Sequence, residues 1–291
     1  MTGNEPTLPK GNVAARWRQL GSVIVDAFKG NTMKSSTITL VLATAVAVAF
    51  SASAPAAPAR QPRTRTRTGT YQDSKGNSGT FNSSTTRSPG SRQHTTTWTN
   101  QNGQTGDHTS DATWNRTTGT GTFSASTTRT NGQSASRQGT ITKTGDNTYQ
   151  IQATRTGFNG KTSTSNLDKT VTATGSTTTG TITGPNGEIS TVNSATTKTG
   201  NGYNRDATIT GPNGGQTKVD TTLTKSPGET VRNTDVTGPN GRTDDRVVDT
   251  RYNPDGSGTR TIENTGPDGR TYTRTEIFSA PTTFPASTPN G

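Results

Sequence analysis

A corner marked by glycine and proline returns about every 27 residues along the second half of this chain. Gly184-Pro185-Asn186-Gly187, Gly211-Pro212-Asn213-Gly214, Gly238-Pro239-Asn240-Gly241 and Gly266-Pro267-Asp268-Gly269 carry it, with prolines 27, 27 and 28 residues apart. One step upstream, Gly157, Asn159 and Gly160 keep its glycine and asparagine positions. Self-similarity at a fixed period means one small unit copied and stacked, so fold and role should follow from the stacking rather than from a catalytic pocket.

Each corner has a mechanical reading. Proline presets φ for the second turn position, asparagine or aspartate suits the third, and the last glycine takes the positive φ that a type I turn with a G1 bulge requires. That is a hairpin tip. Between tips lies a looser punctuation: Thr199-Gly200-Asn201-Gly202, Ser226-Pro227-Gly228 and Asn253-Pro254-Asp255-Gly256. The chain therefore reverses twice per unit, leaving two strands of about nine or ten residues, on the order of 30 Å each.

Strand composition agrees. Threonine alternates through Thr170, Thr172, Thr174 and through Thr271, Thr273, Thr275, and a β-branched polar residue suits a pleated surface. Isolated apolar residues, Ile182, Ile209 and Val236, fall just before the tetrads and predict a thin core. Upstream, Asn102-Gly103 and Asn131-Gly132 mark weaker tips, Ser88-Pro89-Gly90 and Lys143 to Asn147 mark the intervening turns, and Trp98, Trp114, Phe123 and Tyr149 stand where later units carry aliphatics. Roughly eight units fit between Tyr71 and Phe278. The expected fold is all-β: tandem antiparallel β-hairpin repeats forming one extended or rolled Thr-rich sheet over 71–278. A basic linker is expected at 60–70 and a disordered Pro/Thr/Ser tail at 279–291.

The amino terminus reads as an address. Ile38 to Phe50 is a 13-residue apolar run with Lys34 before it and Ala52-Ser53-Ala54 after it, the three parts of a secretory signal over 33–59. It is short for a membrane span, which needs about 20 residues. Residues 1–32 are expected to be either an upstream extension or a start placed too early. Val13, Trp17, Leu20, Ile24 and Phe28 follow helical spacing, whereas the codons for Lys29-Gly30 would spell a ribosome-binding sequence just before Met33.

Hydrophobic residues make up only 23% of the chain, so a disordered, secreted polar chain is a real competitor. Periodic turns, strand formers and a charged fraction of only 17% oppose it. A membrane barrel would need an apolar residue at every second strand position, and Thr259 to Thr265 lacks them.

Parts for catalysis are missing. There are two histidines, His94 and His108, and no cysteine, and no carboxylate pair sits on an evident rigid element, so no enzyme, cofactor or metal is expected. Asp244-Asp245 with Asp249, and Asn253 to Gly256, hint at calcium, but turn chemistry explains their spacing. Arg60, Arg63, Arg65 and Arg67 form a basic tract that could contact a polyanion or serve as a solvated linker, in a chain of net charge +11. Thr-X-Thr arrays resemble those of ice-binding β proteins. Thr177-Thr178-Thr179 and Thr221-Thr222, however, occupy both strand parities, and strand propensity accounts for them.

The sequence thus leads to an exported bacterial repeat protein, periplasmic, cell-surface or extracellular, with a structural, matrix or adhesion role. Its expected partners are envelope or host polysaccharide, or other copies through strand edges, with no specific nucleic acid and no membrane contact beyond the signal. A binding module for anionic polysaccharide or ice is the alternative.

Overall fold

The computed structural model describes residues 61–285. The segments at 1–32 and 33–59, Arg60 and residues 286–291 lie outside the described residues. Arg63–Asp73 (β1), Ser78–Ser88 (β2), Ser91–Asn100 (β3), Thr105–Asn115 (β4), Thr120–Thr128 (β5), Ser134–Lys143 (β6), Thr148–Thr156 (β7) and Thr162–Val171 (β8) make the first half. Gly175–Thr183 (β9), Ile189–Thr199 (β10), Gly202–Thr210 (β11), Gln216–Ser226 (β12), Glu229–Thr237 (β13), Thr243–Tyr252 (β14), Gly258–Thr265 (β15), Thr271–Phe278 (β16) and Thr282–Pro285 (β17) complete it.

Each of β1–β15 pairs antiparallel with the strand that follows it, as tandem hairpins must, and the sheet then closes on itself. Gly69 to Asp73 of β1 pair with Phe278 to Arg274 of β16. After a break at Ser279 to Pro281, β17 continues that partner strand against Arg63 to Thr66. The result is an up-and-down barrel, sixteen strands around, in which each of β1–β16 has a neighbour on both sides. The eight hairpins match the number of units that the repeat predicts.

Both expected flanks shift. Residues 63–70, expected as linker, are the first part of β1, and part of the expected tail is β17. The alternation Arg-Thr-Arg-Thr carries no apolar signal, yet threonine favours the pleat and the backbone ladder asks only for a neighbour. β17 supplies that neighbour for the amino-terminal end of β1.

The tetrads fold as their residues dictate. At Gly184 to Gly187, the Gly187 N–H donates to the Gly184 carbonyl at 3.0 Å and the Gly184 N–H to the Glu188 carbonyl at 2.8 Å. Gly187 sits at φ 85°, where a side chain would be strained. All tetrad tips lie at one end of the barrel. At the other, short-turn end, each turn carbonyl accepts from the strand after next: Gly90 from Trp114 at 2.7 Å, Thr174 from Lys198 at 2.8 Å and Gly228 from Tyr252 at 2.7 Å.

Strand alternation gives the sheet two faces. Inward, Leu167, Ile182, Val192, Ala207, Ile209 and Val219 form one buried cluster with Ile151 and Val236 against it. Of the three apolar residues expected before the tetrads, Ile209 is the most buried, at 0% exposure. In the earlier strands aromatic rings lie over inward glycines of the partner strand. Trp98 covers Gly106 and Phe123 covers Gly139, and an added Cβ at either glycine would come within 2.5 Å of the ring. Outward, threonine and serine predominate, and neighbouring hydroxyls bond each other, as in Thr109–Ser126 at 2.7 Å and Thr265–Thr271 at 3.0 Å. This polar exterior is not the apolar band that a lipid-spanning barrel presents.

Candidate functional site

Charge divides between the two faces. Inward positions of the described strands carry arginine or lysine on all but β4, β5, β9 and β17, against only Asp73, Asp244 and Glu276 as acids. Outward positions carry most of the carboxylates, including Asp111, Asp168, Asp206, Asp220 and Glu263, against only Lys218 and Arg251. A barrel with a basic interior and an acidic exterior follows from strand parity, because residues one apart in sequence face opposite ways.

The basic groups concentrate at the short-turn mouth. Arg63, Arg87 and Arg92 stand directly opposite one another across β1, β2 and β3, with Arg65 two residues along the first strand. All four are exposed. Like charges placed opposite across a ladder repel, and no described carboxylate comes within ion-pair distance of these four. Lys143, Lys169, Lys198 and Lys225 continue the ring at the ends of β6, β8, β10 and β12. Lys198 reaches the Ala173 carbonyl at 3.2 Å, and Lys143 has a loose contact with the exposed turn residue Asp146 at 4.0 Å.

Further in, the arginines are half-buried and incompletely matched. Glu276 takes Arg274 at 2.9 Å and Arg260 at 3.4 Å. Burial, reinforced by Arg232, pushes the Arg246 guanidinium down to about 10, which still leaves it cationic at neutral pH, and its Nε has no hydrogen-bond partner. Arg67 lies over the Phe278 ring, 5.0 Å from its centre, and over Tyr252 at 5.6 Å. Arg137 and Arg155 face each other across β6 and β7, both held below the usual arginine range by burial.

The histidines belong to this interior. His94 Nδ1 shares a hydrogen bond with Thr85 Oγ1 at 2.9 Å, His108 Nδ1 shares one with Thr127 Oγ1 at 2.9 Å, and the rings are 6.2 Å apart. Burial lowers both. For His94 the neighbouring His108, Arg92 and Arg260 add to the effect. Both are therefore neutral at pH 7. At the seam Tyr272 donates to Asp73 Oδ2 at 2.6 Å. Burial acts to raise the Asp73 carboxyl, but hydrogen bonds from Tyr272 and Asn77 outweigh it and hold it low.

Of the basic tract read from the sequence, Arg63, Arg65 and Arg67 share the inward face of β1, while Arg60 lies outside the described residues. The tetrad glycines and prolines stand at the opposite mouth and shape it without contributing charge. Asp244 points inward and Asp245 and Asp249 outward, so these three do not converge, and Asp255 bonds its own turn through Ser257 at 2.8 Å. Among the described residues no three acidic or histidine side chains gather around a cation-sized space.

Sequence reasoning missed Arg87, Arg92 and the four lysines. The signal was present: Lys143, Lys169, Lys198 and Lys225 recur 26, 29 and 27 residues apart, always at the short-turn end of a repeat. Compared with known proteins, the chain matches no family model and no curated protein.

Proposed function

We propose that the chain is an exported, non-catalytic surface element whose barrel grips anionic polysaccharide at its short-turn mouth. One observation carries this reading. Arg63, Arg65, Arg87 and Arg92, exposed and set against one another with no described acid within ion-pair distance, form a site whose repulsion is relieved by an anion and by nothing within the described chain. Guanidinium forks match carboxylate and sulfate oxygens two at a time, and the ring of lysines extends the same potential around the rim. Export rests on the apolar run at 38–50. Barrel closure gives a display element its rigidity and leaves each of β1–β16 paired on both sides, so polysaccharide rather than edge-to-edge self-pairing is the favoured partner.

The test is retention on immobilised polyuronate beside a neutral dextran control. The protein from residue 61 is expected to be held by the first and not the second, and to elute as salt screens the contact. Changing Arg63, Arg65, Arg87 and Arg92 together to glutamine should abolish retention while leaving the β circular dichroism spectrum intact. Equal retention of the variant, or retention indifferent to salt, would overturn the reading.

A further inference from the structure

Both histidines of the chain lie on the inner wall just behind the basic mouth. Register places Arg87 opposite Arg92 and, one inward position further from the short turn, Thr85 opposite His94. His108 follows on β4, opposite Thr96. Successive inward positions on a strand are about 7 Å apart, so the imidazoles stand one and two such steps behind the two arginines.

On the inner faces of β2–β5 the titratable groups are Arg87, Arg92, His94 and His108, with no carboxylate among them. Arg260 of β15 also acts on His94, and the acid that acts on His108 is Asp107, on the outer face of β4. Burial, joined at His94 by its cationic neighbours, holds both rings below the ordinary histidine value. Each ring nevertheless has a hydroxyl ready for a second proton. Nδ1 of His94 meets Thr85 and Nδ1 of His108 meets Thr127, both at 2.9 Å, and His94 Nε2 meets Thr96 at 3.1 Å. A hydroxyl rotates to accept or to donate, so protonation orphans no donor at these atoms.

A polyanion seated on Arg87 and Arg92 cancels the positive potential that opposes those protons. Proton uptake and anion binding therefore assist each other. We infer that His94 and His108 tighten the mouth on its polyanion as the medium turns acid, by adding two positive charges directly behind Arg87 and Arg92. This regulation rests on the reading of the mouth as a polyanion site and adds a trigger to it.

The test is isothermal titration of the untagged protein from residue 61, which holds every strand of the closed sheet, with dextran sulfate at constant salt. The sulfate esters keep their charge throughout, and affinity is expected to rise about tenfold between about pH 7.5 and about pH 4.5. His94→Gln with His108→Gln should remove most of that rise. The variant keeps every carboxylate, so their titration cancels in the comparison, and circular dichroism at each pH checks the fold. Because the chain has two histidines, their imidazole proton resonances report the pair directly. By reciprocity, dextran sulfate should move both titration midpoints upward. Equal affinity at the two ends of the range, a rise in the double variant that matches the parent's, or midpoints unmoved by dextran sulfate would each overturn the inference and leave the polyanion reading standing. Absence of binding at every pH would overturn both.

Discussion

Along β8–β12 the inner face carries Leu167, Ile182, Val192, Ala207, Ile209 and Val219 as one packed cluster, whereas along β13–β16 it carries Arg232, Arg246, Arg260 and Arg274 around a single glutamate. Hairpin pairing and corner chemistry recur in both sectors, and strand lengths are similar. The repeat therefore specifies a ladder and its corners, and leaves the chemistry of the interior open. The aliphatic sector gains stability by removing apolar surface from water. The arginine sector spends stability on half-buried charge, and a difference of this kind predicts unequal local stability within one closed sheet.

The sharpest way to break that contrast is Ile209→Ala. Its side chain is fully enclosed, so the substitution should cost about 2–5 kcal/mol, read as a lower urea midpoint with unchanged slope. A loss much smaller than that would show that the ladder, and not the cluster, holds the second half together. The complementary change is Arg246→Met, similar in length and without charge. Removing a buried donor that lacks a partner should raise stability by about 1–3 kcal/mol. Destabilisation would mean that Arg246 is satisfied within the fold, and the energetic contrast between the two sectors would be lost.

What could be read in advance divides along the same line. Proline at the second corner position and glycine at the fourth restrict φ locally, so the tips from Gly157 to Gly269 were legible without knowledge of any neighbour. Ile182, Ile209 and Val236 could be placed in the core because each precedes a corner by a fixed step. Closure could not be read, since the pairing of β1 with β16 joins residues about two hundred positions apart and leaves no local mark. Nor could the segregation of charge. In strands with one apolar residue each, the inward parity is weakly signalled, and Arg63, Arg65 and Arg67 look like a linker until Phe81, Trp98 and Phe278 fix which way β1 faces. The inward glycines were equally silent, because Gly106 and Gly139 have meaning only beneath Trp98 and Phe123.

The outer surface sharpens the comparison at the smallest scale. Asp206, Asp220, Asp235 and Asp245 stand directly opposite one another across β11–β14, a row of carboxylates outside strands whose inner faces carry Arg205, Lys225, Arg232 and Arg246. Burial and then its neighbours Asp206 and Asp235 raise the Asp220 carboxyl, and burial with Asp245 raises Asp235. A carboxyl whose folded pKa lies above its unfolded value binds more protons in the native state, so these groups destabilise the fold at neutral pH. That penalty is relieved as pH falls through the raised value toward the ordinary aspartate range near 3.9. Asp73, held low by Tyr272 and Asn77, works in the opposite sense over a lower range, its contribution being lost only as pH falls through its depressed value. Asp220→Asn removes the centre of the row. It should stabilise the protein by about 0.2–1 kcal/mol at pH 7, more at low ionic strength than at high, and the gain should shrink toward pH 4 as the raised Asp220 carboxyl takes up its proton. Thermal melts of both proteins at the two pH values measure this. A lower melting temperature for Asp220→Asn at pH 7 would show the row to be favourable as it stands, and the acidic exterior would then need an account other than simple repulsion between strands.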